Sequence, residues 1–341
     1  MPLPPTPTVS ICMPTYNRCG MLREALASAF AQSLQDFEVI VSDNASTDET
    51  EAMVKSFGDD RVRYFRQSAN IGTVPNINFT LRQTKGRYVA FLFDDDLMLP
   101  DNLAHKVGVL ERERKVGLVH SRYHIIDESG RLVRASTNQG HGVERPSDAV
   151  EPGHVFLERA LQGVCEVNPA SAVFRHECLE RLGILDEELL HCDDFEYWMR
   201  TAVHYDVAYL AEPLIIWRVH SQTHTNKYMV AGKTGTTVEG LRDELRAKHK
   251  IISLYKDIIP NWKVLDRQLD SQTEERVVFQ ADCMLDAGTS RSEVEAFLFY
   301  MGSTFPRLFR GSQFWKMVTK VRLGRRGIDA LKRALNLSSK S

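Results

Sequence analysis

The sequence lacks the marks of several protein classes. Its six cysteines form no C-x-x-C pair and no zinc-ligand spacing, so we expect reduced thiols in a cytosolic protein. No apolar run approaches the roughly 18 residues of a transmembrane helix. The N-terminus, Met1–Pro5, has neither the basic nor the hydrophobic region of an export signal. These absences favour a cytoplasmic location.

Glycine-rich phosphate loops are also missing. Neither G-x-G-x-x-G nor G-x-x-x-x-G-K-[ST] occurs at a predicted strand-to-helix turn. This disfavours a dehydrogenase and a P-loop protein. A nucleotidyltransferase is disfavoured because its Gly-rich, Lys-containing entry loop is not visible. If a pyrophosphate binds here, a metal ion would have to neutralise it.

What the sequence does contain is an alternation of strand and helix patterns in its first hundred residues. The helix patterns cover about 20–32 and 75–84, and Ser46–Glu49 is typical of a further helix cap. The strand patterns are Thr8–Met13, Phe37–Ser42, Val62–Phe65 and Tyr88–Phe93. This order predicts an α/β fold with a mostly parallel mixed sheet flanked by helices.

Polar groups follow three of these strands. They are Tyr16 to Arg18, Asp43, and the acidic triplet Asp94-Asp95-Asp96. The carboxyl ends of parallel strands meet at one edge of a sheet, where α/β folds bind ligands. Adjacent carboxylates repel one another and need a cation, and oxygen ligands suit Mg²⁺ or Mn²⁺. An isolated acidic triplet would more often be a solvated turn before a helix; the convergence of three strand ends favours a binding site.

The second half begins with shorter helix and strand patterns and ends with helix patterns alone. A helix is predicted to start at Asp193-Asp194, and residues of about 135–153 are predicted to form a surface loop. Further strands are predicted at Asn168–Arg175, Val207–Leu210 and Leu214–His220. Beyond about residue 231 only helix patterns occur, so we expect a domain or subdomain boundary near 230.

Four stretches in this order and spacing resemble the family 2 glycosyltransferases of GT-A (Rossmann-like) fold, over about residues 8–225. They are Val9–Arg18, Phe37–Asp48, Gly86–Asp101, and Asp193–Trp198 followed by Arg218-Val219-His220. The resemblance implies a catalytic domain at 1–230, with a nucleotide-sugar half at about 8–100 and an acceptor half at about 101–230. Residues 231–341 would form a helical extension with a basic amphipathic tail.

The resemblance also implies an activity. An inverting enzyme would move a sugar from a nucleotide-sugar, with UDP- or dTDP-sugars favoured, to a hydroxyl of a glycan or lipid-linked acceptor in cell-surface polysaccharide synthesis. A divalent metal, Mn²⁺ or Mg²⁺, would assist. The alternative is a catalytically silent GT-A-like module that binds a nucleotide-sugar or glycan.

Each role in that activity is carried over by position. Asp194 would be the catalytic base, and Asp193 and Arg218 would support substrate binding. The donor would be bound by Pro14, Thr15, Tyr16, Arg18, Asp43, Asn70 and Asp94, and the metal by Asp95, Asp94 and His220. In many relatives the D-x-D motif begins where Phe93 stands here. Alignment back from Leu97–Pro100 therefore makes Asp95 the main metal ligand, with Asp94 facing the ribose or sharing the ion.

The C-terminal tail is strongly basic. Residues 301–341 carry ten Lys/Arg against one acid, which leaves −11 on the rest of a chain whose net charge is −2. Cations alternate there with apolar groups, a pattern that fits peripheral contact with an anionic membrane on its inner face. It fits equally a solvated face whose aromatic residues pack on the catalytic domain. Nucleic acid is disfavoured as a partner because the body is acidic, and the helices beyond 230 could support an oligomer.

Overall fold

The computed structural model of the chain describes residues 6–137, 145–163, 167–221, 223 and 237–324. The chain divides into two compact units. The first comprises Met1–Thr223 and Ile258–Pro260, and the second comprises His224–Asp257 and Asn261–Ser341. The roles expected for residues 8–100, 101–230 and 231–341 stay predictions.

Within the described residues, ten strands form one sheet in the first unit. Its main order is β3-β2-β1-β4-β9-β6-β10-β5, with β7 paired to β6 and β8 to β10. The strands are β1 (Val9–Thr15), β2 (Phe37–Asp43), β3 (Val62–Arg66), β4 (Tyr88–Phe91), β5 (Leu97–Met98), β6 (Val116–Ile126), β7 (Leu132–Thr137), β8 (Ala149–Glu151), β9 (Val173–Arg175) and β10 (Asp206–Arg218).

The sheet is mixed, as expected. The longest ladders are parallel: β1 pairs with β2 and β4, β2 with β3, and β6 with β10. The short β9 lies antiparallel between β4 and β6 and joins the two parallel halves. Parallel strands require crossover connections, which explains the helix found after each of the first three strands.

Helices cover both faces of this sheet. Ile11 and Met13 of β1 share a core cluster with α1 and α4, whereas the intervening Cys12 lies on the opposite face, where α3 packs against β1. The helices of the first unit are α1 (Cys19–Phe30), α2 (Thr50–Ser56), α3 (Thr73–Arg82), α4 (Asn102–Arg112), α5 (Gly153–Leu161), α6 (Glu177–Leu182) and α7 (Asp193–Ala202).

Three predicted strands differ from the structure because of proline. Val207–Leu210 and Leu214–His220 are one strand, β10, whose register against β6 shifts on either side of Pro213. Proline has no N–H to give to the ladder, so the strand is irregular there instead of ending. In the predicted strand Asn168–Arg175, Pro169–Ser171 form a 3₁₀ turn in which Asn168 Oδ1 accepts from Ala170 N at 2.9 Å.

Two local predictions also change. The helix expected to be capped by Ser46–Glu49 begins only at Thr50, where Asp48 Oδ1 accepts from the Thr50 N–H at 3.1 Å. Ser46 instead donates from its N–H to Asp43 Oδ1, and its Oγ accepts from Asn17 N. The expected loop at 135–153 contains the end of β7 and all of β8, and its residues 138–144 lie outside the described residues.

The second unit is helical. It contains α8 (Val238–Tyr255), α9 (Trp262–Asp286) and α10 (Arg291–Thr304), a 3₁₀ turn at Pro306–Arg310, and a helix at 312–324, here α11. No helix in the described ranges has both the length and the apolar character needed to span a bilayer.

The described part of the basic tail packs its apolar face into this unit. Phe314, Met317, Val318 and Val321 are each at most 4% exposed and belong to a core cluster with α8, α9 and α10. The tail cations Arg307, Lys320 and Arg322 pair with acids of α9 and α10. The apolar groups of 307–324 therefore pack within the second unit, and not on the catalytic domain as the alternative expected. Arg325, Arg326, Lys332 and Arg333 lie outside the described residues, and membrane contact stays a prediction.

Candidate active site

The acidic triplet lies at the sheet edge that the sequence predicts. Parallel register places Thr15 of β1 opposite Asp43 of β2, and Cys12 of β1 opposite Phe91 of β4. The chain after β4 continues alongside β1, since Leu92 N donates to Cys12 O at 3.0 Å. The triplet therefore emerges beside the loop that follows β1.

Asp94 is the residue of the triplet most closely bound to that loop. Its Oδ2 accepts from Thr15 Oγ1 at 2.8 Å and from Tyr16 N at 3.3 Å, and its Oδ1 accepts from Arg18 Nη1 at 2.8 Å. Burial, followed by repulsion from Asp95, raises the pKa of the Asp94 carboxyl to about 6, although Arg18 and Thr15 oppose the shift. Three predicted donor-binding residues thus meet at one carboxylate.

Asp95 contacts side chains from near both ends of the first unit's sequence. Its Oδ2 accepts from Arg18 Nη1 at 2.8 Å and lies 3.0 Å from His220 Nε2. Asp95 and His220 are 8% and 6% exposed, so both groups are largely removed from water. The resemblance implies that these two residues share a metal, and the structure brings them into direct contact.

Asp96 and Arg218 have a different arrangement. Asp96 Oδ1 accepts from the backbone N–H of Arg218 at 3.0 Å, which fixes the end of β10 against the triplet. Burial and then the charge of Asp95 raise the pKa of Asp96 well above its usual value. The Arg218 side chain donates from Nε to the Asp95 carbonyl at 3.1 Å and from Nη2 to Glu24 at 2.5 Å. The side chain of Arg218, predicted to bind substrate, thus forms hydrogen bonds with other protein groups of the site.

The donors at this edge fit a divalent metal. Asp94, Asp95 and His220 offer carboxylate oxygen and imidazole nitrogen, a set that suits Mn²⁺. Two buried carboxylates side by side need a positive partner, and Arg18 supplies it in this structure. In the described residues, the one group of three such ligand atoms that all lie within 4.8 Å of one another is in the second unit, at His249, Asp266 and Asp270. There Arg307 pairs with both carboxylates.

The predicted nucleoside pocket centres on Asp43, which is fully buried. Its Oδ1 accepts from Ser46 N at 2.7 Å and its Oδ2 accepts from the Tyr64 hydroxyl at 2.6 Å. Asn17 then connects this carboxylate to the loop after β1, because its N–H donates to Ser46 Oγ at 2.9 Å. Asn17 has φ +53°, a left-handed conformation that asparagine tolerates better than most residues. Tyr16, at 43% exposure, is open to a ligand.

Asn70 and Pro14 occupy supporting positions near this pocket. Asn70 Oδ1 accepts from Asn44 Nδ2 and from Gly72 N, both at 3.0 Å, which shapes the turn before α3. Pro14 is buried within β1 opposite Ser42. A contact between a nucleotide and either residue stays a prediction.

The second acidic pair begins α7, as predicted. Asp193 is buried, and Asp194 is partly buried with its Oδ1 accepting from Phe195 N at 2.8 Å. Burial raises the pKa of Asp194 to about 6, against the lowering effect of backbone N–H groups. One turn further on, the fully buried Trp198 packs edge-on against Phe91, with ring centroids 6.2 Å apart. This contact anchors α7 to the strand that ends three residues before Asp94.

Sequence comparison identifies the family. The profile described as "Glycosyl transferase family 2" matches residues 10–175. An uncharacterized glycosyltransferase of Rickettsia typhi is 30% identical over 223 residues, which are 65% of this chain and 67% of that protein. The chain belongs to glycosyltransferase family 2. The match to the GalNAc(5)-diNAcBac-PP-undecaprenol β-1,3-glucosyltransferase of Campylobacter jejuni is shorter, at 34% identity over 42% of this chain and 45% of that protein.

Solved structures confirm the GT-A fold of this glycosyltransferase. S. aureus TarS 1–349 in complex with UDP-GlcNAc has a TM-score of 0.60 at 16% identity and covers 93% of this chain, with 92% of its own length matched. The mannosyltransferase PcManGT of Pyrobaculum calidifontis, in complex with GDP-Man and Mn²⁺, has a TM-score of 0.54 at 19% identity, over 93% of this chain and 84% of its own.

Several residues of this glycosyltransferase's site were not predicted from sequence. Ser46 and Tyr64 hold Asp43, Asn44 holds Asn70, and Glu24 pairs with Arg218. Asn44 had a visible signal, since a polar amide directly follows Asp43 at the strand end. Glu24 and Tyr64 had none, because each sits in an ordinary helix or strand pattern and meets its partner only in the folded chain. Phe93, at the position where many relatives begin the D-x-D motif, is partly buried and stacks on Phe91 with ring centroids 6.1 Å apart.

Proposed function

We propose that this glycosyltransferase transfers a sugar, with inversion at the anomeric carbon, from a nucleotide-sugar to a hydroxyl of a glycan or lipid-linked acceptor. UDP- and dTDP-sugars are the favoured donors, and cell-surface polysaccharide synthesis is the proposed process. The observation that carries the proposal is the buried Asp94–Asp95 pair, held between Arg18 and His220 at the end of β4. Such a pair is costly to bury unless a cation serves it.

The donor would bind along the loop after β1. Asp43 would accept a hydrogen bond from the base, because a carboxylate oxygen that already accepts one hydrogen bond retains a second lone pair. Pro14, Thr15 and Asn70 would border the nucleoside, and the exposed ring of Tyr16 could stack on it. Arg18 would lie beside the diphosphate. UDP-GlcNAc and GDP-Man are bound by the two structurally similar proteins.

The chemical step would form a bond between the acceptor oxygen and the anomeric carbon. As that bond forms, the acceptor proton passes to a carboxylate oxygen of Asp194, and the bond from the anomeric carbon to the diphosphate breaks. Asp194 suits this task because burial keeps its pKa near 6, closer to neutrality than that of an exposed aspartate. Asp193 would hold the acceptor.

Asp95, Asp94 and His220 would hold the divalent metal, Mn²⁺ or Mg²⁺. When bound, the metal would supply charge stabilisation for the leaving nucleoside diphosphate. Thr15 and Tyr16 would orient Asp94 for this role through their hydrogen bonds to Oδ2. Arg218 would keep the end of β10, and with it His220, at the triplet.

A lipid-linked acceptor is supported by the name of the Campylobacter jejuni relative, a glucosyltransferase whose acceptor is a glycan on undecaprenyl pyrophosphate. An enzyme acting on such an acceptor would work in the cytoplasm, peripherally on the inner face of the membrane. Membrane contact by the basic tail and oligomer formation by the second unit belong to this proposal.

The proposal is tested by product analysis. The purified full chain would be incubated with Mn²⁺, a panel of nucleotide-sugars and short polyprenyl-pyrophosphate glycans, and the products examined by mass spectrometry and proton NMR. We expect one added sugar with the anomeric configuration opposite to that of the donor. Transfer with retained configuration would overturn Asp194 as base, and donor binding without any product would favour the silent binding module.

A further inference from the structure

We propose that Arg18 competes with the divalent metal for Asp94 and Asp95, so that metal and nucleotide bind cooperatively only when this guanidinium leaves the acidic pair. The inference rests on the proposed function for the identity of the metal ligands. It goes beyond that function because it makes Arg18 an internal regulator of metal affinity.

The Arg18 guanidinium lies where a cation bound by the two carboxylates would lie. One nitrogen, Nη1, lies 2.8 Å from Asp94 Oδ1 and 2.8 Å from Asp95 Oδ2. The two carboxylate side chains are 6% and 11% exposed, whereas the Arg18 side chain is 21% exposed. The single charge therefore lies between the two groups that would otherwise repel one another in a site with little water.

A metal bridging the same carboxylates would compete directly with this contact. Asp95 Oδ2 already takes both Arg18 Nη1 and His220 Nε2, so the oxygen best placed for a metal is also the oxygen that the guanidinium occupies. A divalent ion and a guanidinium this close would repel one another strongly. Metal binding consequently has to include the cost of separating Arg18 from the pair.

Departure of the Arg18 guanidinium would leave the start of α1 in place. The backbone of Arg18 immediately precedes α1, and its carbonyl accepts the first helical hydrogen bond, from Leu22 N at 2.9 Å. Neither depends on where the long side chain points. Outside the pair, the diphosphate of a donor bound along the same loop would provide the guanidinium with an anionic partner. Metal and nucleotide would then each strengthen binding of the other. By thermodynamic linkage, the factor is the same in both directions.

The test is a Mn²⁺ titration of the full chain, followed by electron paramagnetic resonance of the free ion, without and with UDP. We expect Arg18→Gln to bind Mn²⁺ about tenfold or more tightly than the wild type when nucleotide is absent, and to show little further gain when UDP is added. The wild type should gain about tenfold or more on adding UDP. Arg18→Lys, which keeps the charge, should remain close to the wild type.

Arg82→Gln is the matched control, since it removes the same charge from a half-exposed position on α3 whose partner is Glu187. Its Mn²⁺ affinity should not change. Equal or weaker Mn²⁺ binding by Arg18→Gln would overturn the competition. If removal of Arg18 destabilises the metal-free protein, the competition predicts a larger Mn²⁺-dependent rise in melting temperature for Arg18→Gln than for the wild type, and an equal or smaller rise would contradict it.

A second variant separates this proposal from the proposed metal site. Asp95→Asn should weaken Mn²⁺ binding in both the wild-type and the Arg18→Gln background. If Asp95→Asn leaves Mn²⁺ binding unchanged, the ion is held elsewhere, for example at His249, Asp266 and Asp270, and the metal role of the triplet fails. If Asp95→Asn weakens binding but Arg18→Gln does not strengthen it, the triplet holds the metal and only the competition fails.

Discussion

His220 Nε2 lies 3.0 Å from Asp95 Oδ2, although 125 residues separate them in the chain. The contact joins the segment after β10 to the segment after β4, and therefore connects two of the stretches that resemble the family, Arg218-Val219-His220 and Gly86–Asp101. Both groups are nearly excluded from solvent. In the proposed metal site, these two groups share one ion.

His220→Asn should therefore weaken metal activation. We expect the Mn²⁺ concentration for half-maximal nucleoside diphosphate release to rise by at least about 10–100-fold, the range found when groups that orient a metal's ligands are removed. The control is His105→Asn, because His105 is exposed and pairs with Glu212 away from the triplet. A Mn²⁺ dependence that is equal in both variants would remove His220 from the metal site.

Asp194→Asn should abolish transfer while leaving the donor bound. Loss of a general base costs about 10²–10⁴-fold in rate, whereas nothing at the loop after β1 changes. The measurements are kcat with saturating substrates and nucleotide affinity by calorimetry. Asp193→Asn makes the same charge change one residue earlier and should cost less in kcat. A larger loss for Asp193→Asn would make Asp193 the base and leave Asp194 the supporting role.

The pH dependence follows from the raised pKa of Asp194. A base acts in its ionised form, and burial holds this pKa near 6, so kcat/KM should fall about tenfold for each pH unit below 6 and level off above it. The profile is best measured at saturating Mn²⁺, because a bound cation lowers the pKa of Asp94 and removes its titration from this range. A profile that is flat between pH 5 and 8 would contradict the assignment.

Packing of the tail in the second unit predicts a difference between two neighbouring aromatic residues. Phe314 is fully buried, whereas Trp315 is 43% exposed and donates from its indole nitrogen to Phe309 O at 2.8 Å. Phe314→Ala should lower the free energy of unfolding by about 3–5 kcal/mol, and Trp315→Ala by about 1–2 kcal/mol. Urea denaturation followed by circular dichroism would show this, and equal losses would contradict the packing of α11.

The fold and the convergence of strand ends could be predicted because they follow from periodic patterns. The buried strand before Asp94 is a continuous apolar run and the one before Asp43 is mainly apolar, and their helices are amphipathic, so the edge that carries the polar groups is determined locally. The strand through Pro213 could not be predicted, because a proline ends most strands and only the neighbouring β6 shows that this one continues.

The side-chain partners within the site were less predictable. Nothing in the loop Tyr16–Arg18 indicates that Arg18 turns back to bind two carboxylates 76 and 77 residues later. Similarly, Asp43 looks free for a ligand in the sequence, yet both of its oxygens accept hydrogen bonds within the protein. Such pairings depend on which strands are neighbours, and the sequence alone leaves that order open.

The most direct test of the proposed function is the rate of nucleoside diphosphate release from a panel of nucleotide-sugars, with Mn²⁺, with Mg²⁺ and with chelator. We predict slow release from one donor, dependent on the metal and accelerated by the correct acceptor. Metal-dependent binding of a nucleotide-sugar without release, even when candidate acceptors are present, would contradict catalysis and leave the chain a binding module.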